Sequence, residues 1–194
     1  GQAASVSLLC TSTKAQSISL NRQDVTISTP DATSSYEGGA VPFDYWLKQK
    51  AFSMAEKVAT VFSGLRGYVG VDLVLTEHQA FVVDVNPRLT TSYVGLHEVA
   101  RCNFSEMMVE AVLENKLPSK FEFNGVARFS KIETPKPTLA ALREVAELRS
   151  VVSPPFPLYD DSEAVSLVVG EGANLEDATH RLEEAKKRLR NIIG

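Results

Sequence analysis

Residues 67–96 read GYVGVDLVLTEHQAFVVDVNPRLTTSYVGL, and this stretch decides the fold. It contains two apolar, valine-rich runs, residues 69–75 and 80–85, separated by the polar segment 76–79. Runs of this kind around a short polar break predict two antiparallel strands joined by a hairpin turn. Each run carries one aspartate, Asp72 in the first and Asp84 in the second. Because an unpaired carboxylate in a buried strand is costly, a shared cation is the simplest explanation of both.

The spacing of the two acids predicts that they face each other. Position 78 is midway between Asp72 and Asp84, so a turn centred there puts the two residues opposite or nearly opposite each other. Opposite residues on paired strands share a face and lie about 4.5–5.5 Å apart. Asn86 and Arg88 follow at every second position and share that face while the strand continues. We therefore expect Asp72, Asp84 and Asn86 to bind Mg²⁺, with substrate phosphates completing its coordination.

The residues that follow the second strand suit an anionic ligand. Arg88 is a forked donor for a phosphate or an acyl phosphate, and Thr90, Thr91 and Ser92 add hydroxyl and backbone N–H groups. The alternative is structural: the aspartates face solvent, and residues 86–88 form an Asn-Pro turn with a surface arginine. Because these polar residues share one face of a hairpin that its valines predict to be largely buried, we favour the metal–phosphate interpretation.

Composition bounds the class of protein. The 194 residues carry a formal net charge of −4, with 44% hydrophobic and 23% charged residues. This is typical of a globular protein of ordinary size and argues against nucleic acid or an anionic membrane as the main partner. Cys10 and Cys102 have no metal-binding spacing, so we expect free thiols and a cytoplasmic location. Since the chain begins at Gly1 with a strand-like segment, we expect it to be the back part of a longer protein.

The pattern along the chain predicts an α+β fold, an antiparallel sheet packed with helices. Residues 4–28 predict a strand pair with a turn near Lys14. Residues 43–63 predict a helix whose apolar stripe includes Trp46, Met54, Val61 and Phe62. Residues 29–42 and 153–158 are interpreted as loops. The pair Gly38-Gly39 in the first of them is either a flexible connection or, in the functional interpretation, a mobile lid or phosphate loop. We expect a catalytic core in residues 1–120 and an α/β extension, packed on the same domain, in residues 121–194.

Other familiar sites receive little support. No two of the three histidines, His78, His97 and His180, have the spacing of a zinc site. Neither the glycine fingerprint of a Rossmann fold nor that of a P-loop is present in the sequence. The central hairpin therefore remains the place to expect chemistry.

Two segments of the hairpin, GVDLVL (70–75) and FVVDVNPR (81–88), resemble the catalytic end of the ATP-grasp superfamily. With the hydroxyl-rich tail, DVNPRLTTSYVGL (84–96) is similar to the archaeal-type ATP-grasp ligases, and most to the tyramine–glutamate ligase type of methanofuran biosynthesis. SISLNRQ (17–23) and YEGGAVP (36–42) are weaker matches. The specific similarity covers residues 5–117, and the part from residue 121 onward resembles the family's C-terminal tail loosely.

The resemblance implies a role for each residue of the predicted site. Asp72 matches the first metal-binding acid of the family, and Asp84 matches the acid that bridges two Mg²⁺ ions, a position where the family more often has glutamate. Asn86 matches the amide ligand of the second metal, and Arg88 matches the arginine that steadies the γ-phosphate and the acyl phosphate. The remaining matches are Val74 beneath the adenine and Thr90, Thr91 and Ser92 in contact with substrate or phosphate.

The activity that the resemblance implies is that of an ATP-dependent carboxylate–amine ligase using Mg²⁺, or Mn²⁺ in its place. Its substrates are a small-molecule carboxylate and an amine, and its oligomeric state is open, with a homodimer as one option. Family members also carry an upstream lysine-bearing subdomain that clamps ATP, and we expect that part to precede Gly1. The alternatives are a non-catalytic nucleotide-binding module and, ranked last because no water-activating base is evident, a metal-dependent phosphohydrolase.

Overall fold

The computed structural model describes residues 1–26, 35–157 and 163–194, and these form eight strands and five helices. The strands are β1 (Gln2–Cys10), β2 (Ala15–Thr26), β3 (Ser35–Val41), β4 (Gly67–Leu75), β5 (Ala80–Asn86), β6 (Val126–Pro135), β7 (Val151–Pro157) and β8 (Glu163–Gly172). The helices are α1 (Lys48–Val61), α2 (Ser92–Val99), α3 (Phe104–Val109), α4 (Leu139–Ala146) and α5 (Leu175–Ile193). A π-helical turn, Glu110–Glu114, continues α3.

The eight strands form a single antiparallel sheet in the order β5-β4-β1-β2-β3-β6-β8-β7. The predicted hairpins β1–β2 and β4–β5 are both present, and the α+β class is confirmed. Strands β6, β7 and β8 extend the sheet through the pairing of β6 with β3. The boundary that we expected at residue 120 therefore lies between parts of one continuous sheet, and the division into core and extension stays a prediction.

Helix α1 covers one face of the sheet at the β1–β4 end. Its buried side consists of Ala51, Ala55 and Ala59, which recur every four residues and so lie on one helical face. They pack on aliphatic side chains of β1, β2 and β4, including Val6 and Val71. Because alanine is small, the helix backbone can lie close to the strands.

The large apolar residues expected on the buried stripe of α1 lie outside it. Trp46 precedes the helix and is 69% exposed, and Met54, Val61 and Phe62 are also exposed, so that part of the prediction was wrong. The indole of Trp46 stacks on Tyr45 and donates a hydrogen bond to the carbonyl oxygen of Glu77 at 3.1 Å. Trp46 therefore ties the start of α1 to the turn between β4 and β5.

The pair Gly38-Gly39 lies within strand β3, so both interpretations of it, a flexible connection or a phosphate loop, were wrong. Residues 29–34 of the predicted loop lie outside the described residues, and Ser35–Val41 pairs with β2 on one side and β6 on the other. A Cβ on residue 38 would lie 2.0 Å from the carbonyl oxygen of Phe129, and Gly38 has a φ of +142°. The glycine is thus required by close strand packing.

The C-terminal part closes the other end of the sheet. Residues 151–157, predicted in part as a proline-rich loop, form the edge strand β7. Prolines are tolerated in an edge strand because one of its sides makes no hydrogen bonds within the sheet, so a missing N–H is not needed there. Helix α5 buries Leu182 and Leu189 in a cluster with Val168 of β8 and Ile132 of β6. Asn174 caps the start of α5, with its Oδ1 accepting a hydrogen bond from the Asp177 N–H at 2.9 Å.

The central hairpin lies at the opposite edge of the sheet from β7. Strand β4 is largely buried, whereas β5 is the edge strand and exposes Phe81 and Val83. The expectation that the hairpin is largely buried was therefore wrong for β5. Among the described residues, no helix combines the length and the apolar character needed to cross a membrane.

Candidate functional site

The two acids of the hairpin lie opposite each other. Asp72 on β4 is the register partner of Asp84 on β5, as the spacing predicts. The route to this pairing differs from the prediction, because Leu75 pairs with Ala80 and Leu73 with Val82, which centres the turn half a residue earlier. A register shift next to Leu73 then leaves Val83 without a register partner and restores the match between the acids.

Asp72 is held by two amide side chains. Gln23 Nε2 donates to its Oδ1 at 2.9 Å, and Asn86 Nδ2 donates to its Oδ2 at 3.0 Å. The carboxyl group is half-buried, and burial raises the pKa of Asp72 above its usual range. The hydrogen bond from Gln23 opposes this rise, the Asp84 charge adds to it, and Asn86 and Arg88 oppose it. A bound cation would relieve the same penalty.

Arg88 is connected to the acid pair through a hydrogen bond to Asn86. Its Nη2 donates to Asn86 Oδ1 at 3.3 Å, and its Nη1 donates to the Leu89 carbonyl oxygen at 3.1 Å. The backbone N–H of Arg88 also donates to the Asn86 carbonyl oxygen at 2.8 Å, which marks a tight turn over Pro87. Both Arg88 and Asp84 are exposed. The structure thus brings together all four residues that sequence reasoning placed on one face.

The donor set fits a magnesium ion that is shared with a ligand. Two carboxylates and one amide oxygen are hard donors, and Mg²⁺ sites of this kind use one or two carboxylates plus substrate phosphates. Among the described residues, no group of three or more His, Cys, Asp or Glu side chains is arranged to hold a metal ion, so a ligand would have to complete the coordination at this site. Asn86 Oδ1 now accepts a hydrogen bond from Arg88, and it would have to give up that bond in order to bind the ion.

An apolar patch lies beside the acids. Val74 is half-buried on the same face of β4 as Asp72, and its register partner Phe81 is 56% exposed. Sequence reasoning named Val74 but missed Phe81, which appeared to belong to a buried run. Phe81 thus pairs with a residue two positions from Asp72 and offers an exposed ring face of the kind that stacks on a planar base. Contact of Val74 with adenine stays a prediction.

The hydroxyl cluster after Arg88 turns towards the protein interior. Thr90 Oγ1 lies 3.1 Å from the Tyr68 hydroxyl and 2.8 Å from Ser92 Oγ, and Ser92 is buried. Thr91 lies beside the phenol of Tyr36, whose pKa burial raises. Contact of Thr90, Thr91 and Ser92 with substrate stays a prediction, since the hydroxyls of Thr90 and Ser92 already have partners in the protein.

Several residues near the site were missed by sequence reasoning. Gln23 and Tyr68 lie on strands β2 and β4 but contact Asp72 and Thr90, which are 49 and 22 positions away in the chain. A signal was present, because segments 5–7 and 17–21 alternate small polar residues with apolar ones, and such residues are unusual in a buried strand. The contacts of Gln23 and Tyr68, however, depend on the order of the strands in the sheet.

The histidines and cysteines lie apart from this site. His78, His97 and His180 are exposed, and each lies within 4 Å of a glutamate. Both cysteines are free thiols, as expected, and burial raises the pKa of Cys10 to about 11. Neither group adds a candidate nucleophile or ligand to the hairpin site.

Sequence comparison identifies relatives of the first part of the chain. Residues 1–92 match the family described as ATP-grasp domain. The tyramine–L-glutamate ligase of Methanocaldococcus jannaschii is 32% identical over 125 residues, which are 64% of this chain and 37% of that protein. The enzyme of the same name from Methanocaldococcus fervens is 31% identical over 122 residues, 63% of this chain and 38% of that protein. The match thus spans less than two thirds of these relatives.

Structure comparison extends the likeness to nearly the whole chain. A crystal structure of N5-carboxyaminoimidazole synthase from Aspergillus clavatus, in complex with ADP and 5-aminoimidazole ribonucleotide, has a TM-score of 0.70 at 16% identity, covering 97% of this chain and 51% of that one. The N5-carboxyaminoimidazole ribonucleotide synthetase of Thermus thermophilus has a TM-score of 0.65 at 16% identity, covering 100% and 51%. At this identity the likeness shows the fold alone. Residues 1–92 therefore match the ATP-grasp domain family, and the described chain shares the fold of these crystal structures.

Proposed function

We propose that this chain is the metal-bearing part of an ATP-dependent ligase that joins a carboxylate to an amine. The observation that carries the proposal is the face on which Asp72 and Asp84 are register partners and Asn86 and Arg88 are hydrogen-bonded neighbours. The ATP-grasp family of residues 1–92 and the ligase names of the relatives support the same reading.

The reaction that fits this face has two steps. The γ-phosphoryl group of ATP is transferred to a substrate carboxylate oxygen, giving ADP and an acyl phosphate. The amine nitrogen then attacks the acyl carbon, the bond from carbon to the phosphate oxygen breaks, and inorganic phosphate leaves with the electron pair. The nitrogen loses a proton to solvent or phosphate, and an amide remains.

The residues of this chain would supply charge and position. A divalent ion held by Asp72, Asp84 and Asn86 would offset the negative charge of the phosphates. Arg88, an exposed forked donor that is hydrogen-bonded to Asn86, would bind the transferred phosphoryl group. No side chain needs to act as a nucleophile, since positioning and electrostatic stabilisation account for this kind of chemistry.

The names of the relatives suggest which substrates to try first. The M. jannaschii and M. fervens proteins are tyramine–L-glutamate ligases, so glutamate and tyramine are the initial carboxylate and amine for this chain. A place in methanofuran-type one-carbon cofactor biosynthesis is part of the same proposal, as is a cytoplasmic location. If glutamate and tyramine are not the substrates, a panel of other amino acids and primary amines tests whether the protein is a carboxylate–amine ligase at all.

The test is turnover of Mg-ATP by the full-length protein. ADP formation that requires both a carboxylate and an amine, with an amide product detected by mass spectrometry, supports the proposal. ADP–Mg binding without turnover on any acceptor supports the non-catalytic nucleotide-binding alternative. If Asp84→Ala keeps full activity, the assignment of the metal site is wrong.

A further inference from the structure

The hydroxyl of Tyr68 connects the sheet to the loop that carries Arg88. It lies 2.7 Å from Ser7 Oγ on β1 and 3.1 Å from Thr90 Oγ1 in the loop. The side chain is buried, with 5% exposure, and its ring packs edge-on against Tyr93 at 5.8 Å between centroids. Tyr68 is therefore fixed by packing, and its hydroxyl has one hydrogen-bond partner on β1 and another in the loop.

A row of buried polar side chains on β1 and β2 is hydrogen-bonded to Tyr68 through Ser7. Asn21 Nδ2 donates to Ser7 Oγ at 2.9 Å and to Ser5 Oγ at 3.2 Å, and Ser19 Oγ donates to Asn21 Oδ1. Ser7 and Asn21 are fully buried. Buried polar groups cost free energy unless each finds a partner, and a network in which every member is satisfied holds its groups in one arrangement.

On the other side of Tyr68, the loop is held to the strand by shape as well as by hydrogen bonds. A Cβ on residue 70 would lie 2.4 Å from Thr90 Cγ2, so the absence of a side chain at Gly70 makes room for the Thr90 methyl group. Thr90 then contacts Ser92 at the start of α2. The loop is thereby fixed at Thr90, two residues after Arg88.

Arg88 has no comparable support of its own. Its side chain is exposed and donates to Asn86 and to the Leu89 carbonyl oxygen, both within its own turn. An exposed arginine loses side-chain entropy when a ligand immobilises it, and its reach towards that ligand depends on where the backbone holds its Cα. The direction of Arg88 therefore depends on the fixed position of Thr90.

We propose that Tyr68 is a positioning residue, whose hydroxyl anchors Thr90 and so holds Arg88 beside the acid pair Asp72 and Asp84. This rests on the proposed function in one respect, that Arg88 binds the transferred phosphoryl group. It also assigns the hydroxyls of Thr90 and Ser92 to holding the loop. A purely structural tyrosine would stabilise the protein without any link to Arg88.

The decisive experiment is a double-mutant cycle on turnover. Tyr68→Phe keeps the ring and removes the hydroxyl, and we expect kcat to fall about tenfold, the effect of losing roughly one buried hydrogen bond, with little change in KM for ATP. In an Arg88→Ala background the same change should lower kcat less than about twofold, because coupled residues are not additive. Tyr45→Phe, which alters a ring stacked on Trp46 away from the loop, is the matched control.

A second measurement does not depend on turnover. Backbone hydrogen exchange of residues 88–94 should become about fivefold faster in Tyr68→Phe and stay unchanged in Tyr45→Phe, because the loop loses its anchor. Equal losses of kcat in both backgrounds, or unchanged exchange in the loop, would overturn the inference. A wild-type protein without turnover contradicts the proposed function instead, and the exchange result then decides whether Tyr68 holds the loop.

Discussion

Asp72 and Asp84 are register partners on neighbouring antiparallel strands, and they remain so because Val83 is left without a partner between Val82 and Asp84. Without that extra residue, Asp84 would fall one position out of register and point to the other face of the sheet. The irregularity therefore contributes directly to the acid pair. An edge strand such as β5 can accommodate it, since only one neighbour has to adapt.

Gly70 should be intolerant of a side chain. In Gly70→Ala, the new Cβ would lie 2.4 Å from Thr90 Cγ2, so either the strand or the loop must shift. We expect the free energy of unfolding to fall by about 1–3 kcal/mol, the usual cost of overpacking, together with a loss of activity. Urea denaturation and Mg-ATP turnover measure the two effects.

A compensating change distinguishes this clash from a general effect of the alanine. Thr90→Ser removes the methyl group and keeps the hydroxyl that faces Tyr68. Gly70→Ala/Thr90→Ser should therefore be more stable than Gly70→Ala alone. A double variant that is less stable than the single one would show that the Thr90 methyl group is not the obstacle.

Alkaline pH should destabilise the protein through Cys10. Burial raises the pKa of this thiol from 9.0 to about 11, so between these values the unfolded chain releases the proton while the folded protein retains it. The unfolded state is then favoured, and stability falls as the pH rises from about 9 towards 11. Urea denaturation at pH 8 and pH 10 should show a smaller decline in Cys10→Ala than in the wild type. The account of Cys10 fails if both proteins lose the same stability.

The start of α5 offers a test of local stability far from the hairpin. Asn174 Oδ1 accepts the Asp177 N–H at 2.9 Å, and removal of such a cap costs about 1 kcal/mol. We expect Asn174→Ala to lower the free energy of unfolding by about that amount without changing nucleotide binding. Asn191→Ala, at an exposed position near the end of the same helix, is the control and should change neither property.

Local patterns were sufficient to predict the acid pair. Asp72, Asp84, Asn86 and Arg88 follow one another along a single hairpin, so their spacing indicated the pairing, although the register shift beside Leu73 that restores it was not predicted. The cap at Asn174 is also predictable from the local sequence, because capping depends on residues within one turn of the helix.

Contacts between distant parts of the chain were not predictable in this way. Gly38 and Gly39 resemble a loop until β3 is known to have a neighbour on each side. The exposure of Phe81 follows from the edge position of β5, which a local pattern of valines does not reveal. The Tyr68–Thr90 contact joins a strand to a loop beyond the next strand, and it depends on the packing of that loop against the sheet.

The central claim is that the acid pair binds a divalent ion together with a nucleotide. Calorimetric titration of the full-length protein with ADP, in the presence and absence of Mg²⁺, tests it most directly. We predict that Asp72→Asn and Asp84→Asn each weaken Mg-ADP binding at least about tenfold, while Asp44→Asn, a change at another exposed acid, leaves it unchanged. Mg-ADP affinity equal to that of the wild type in both acid-pair variants would contradict the account.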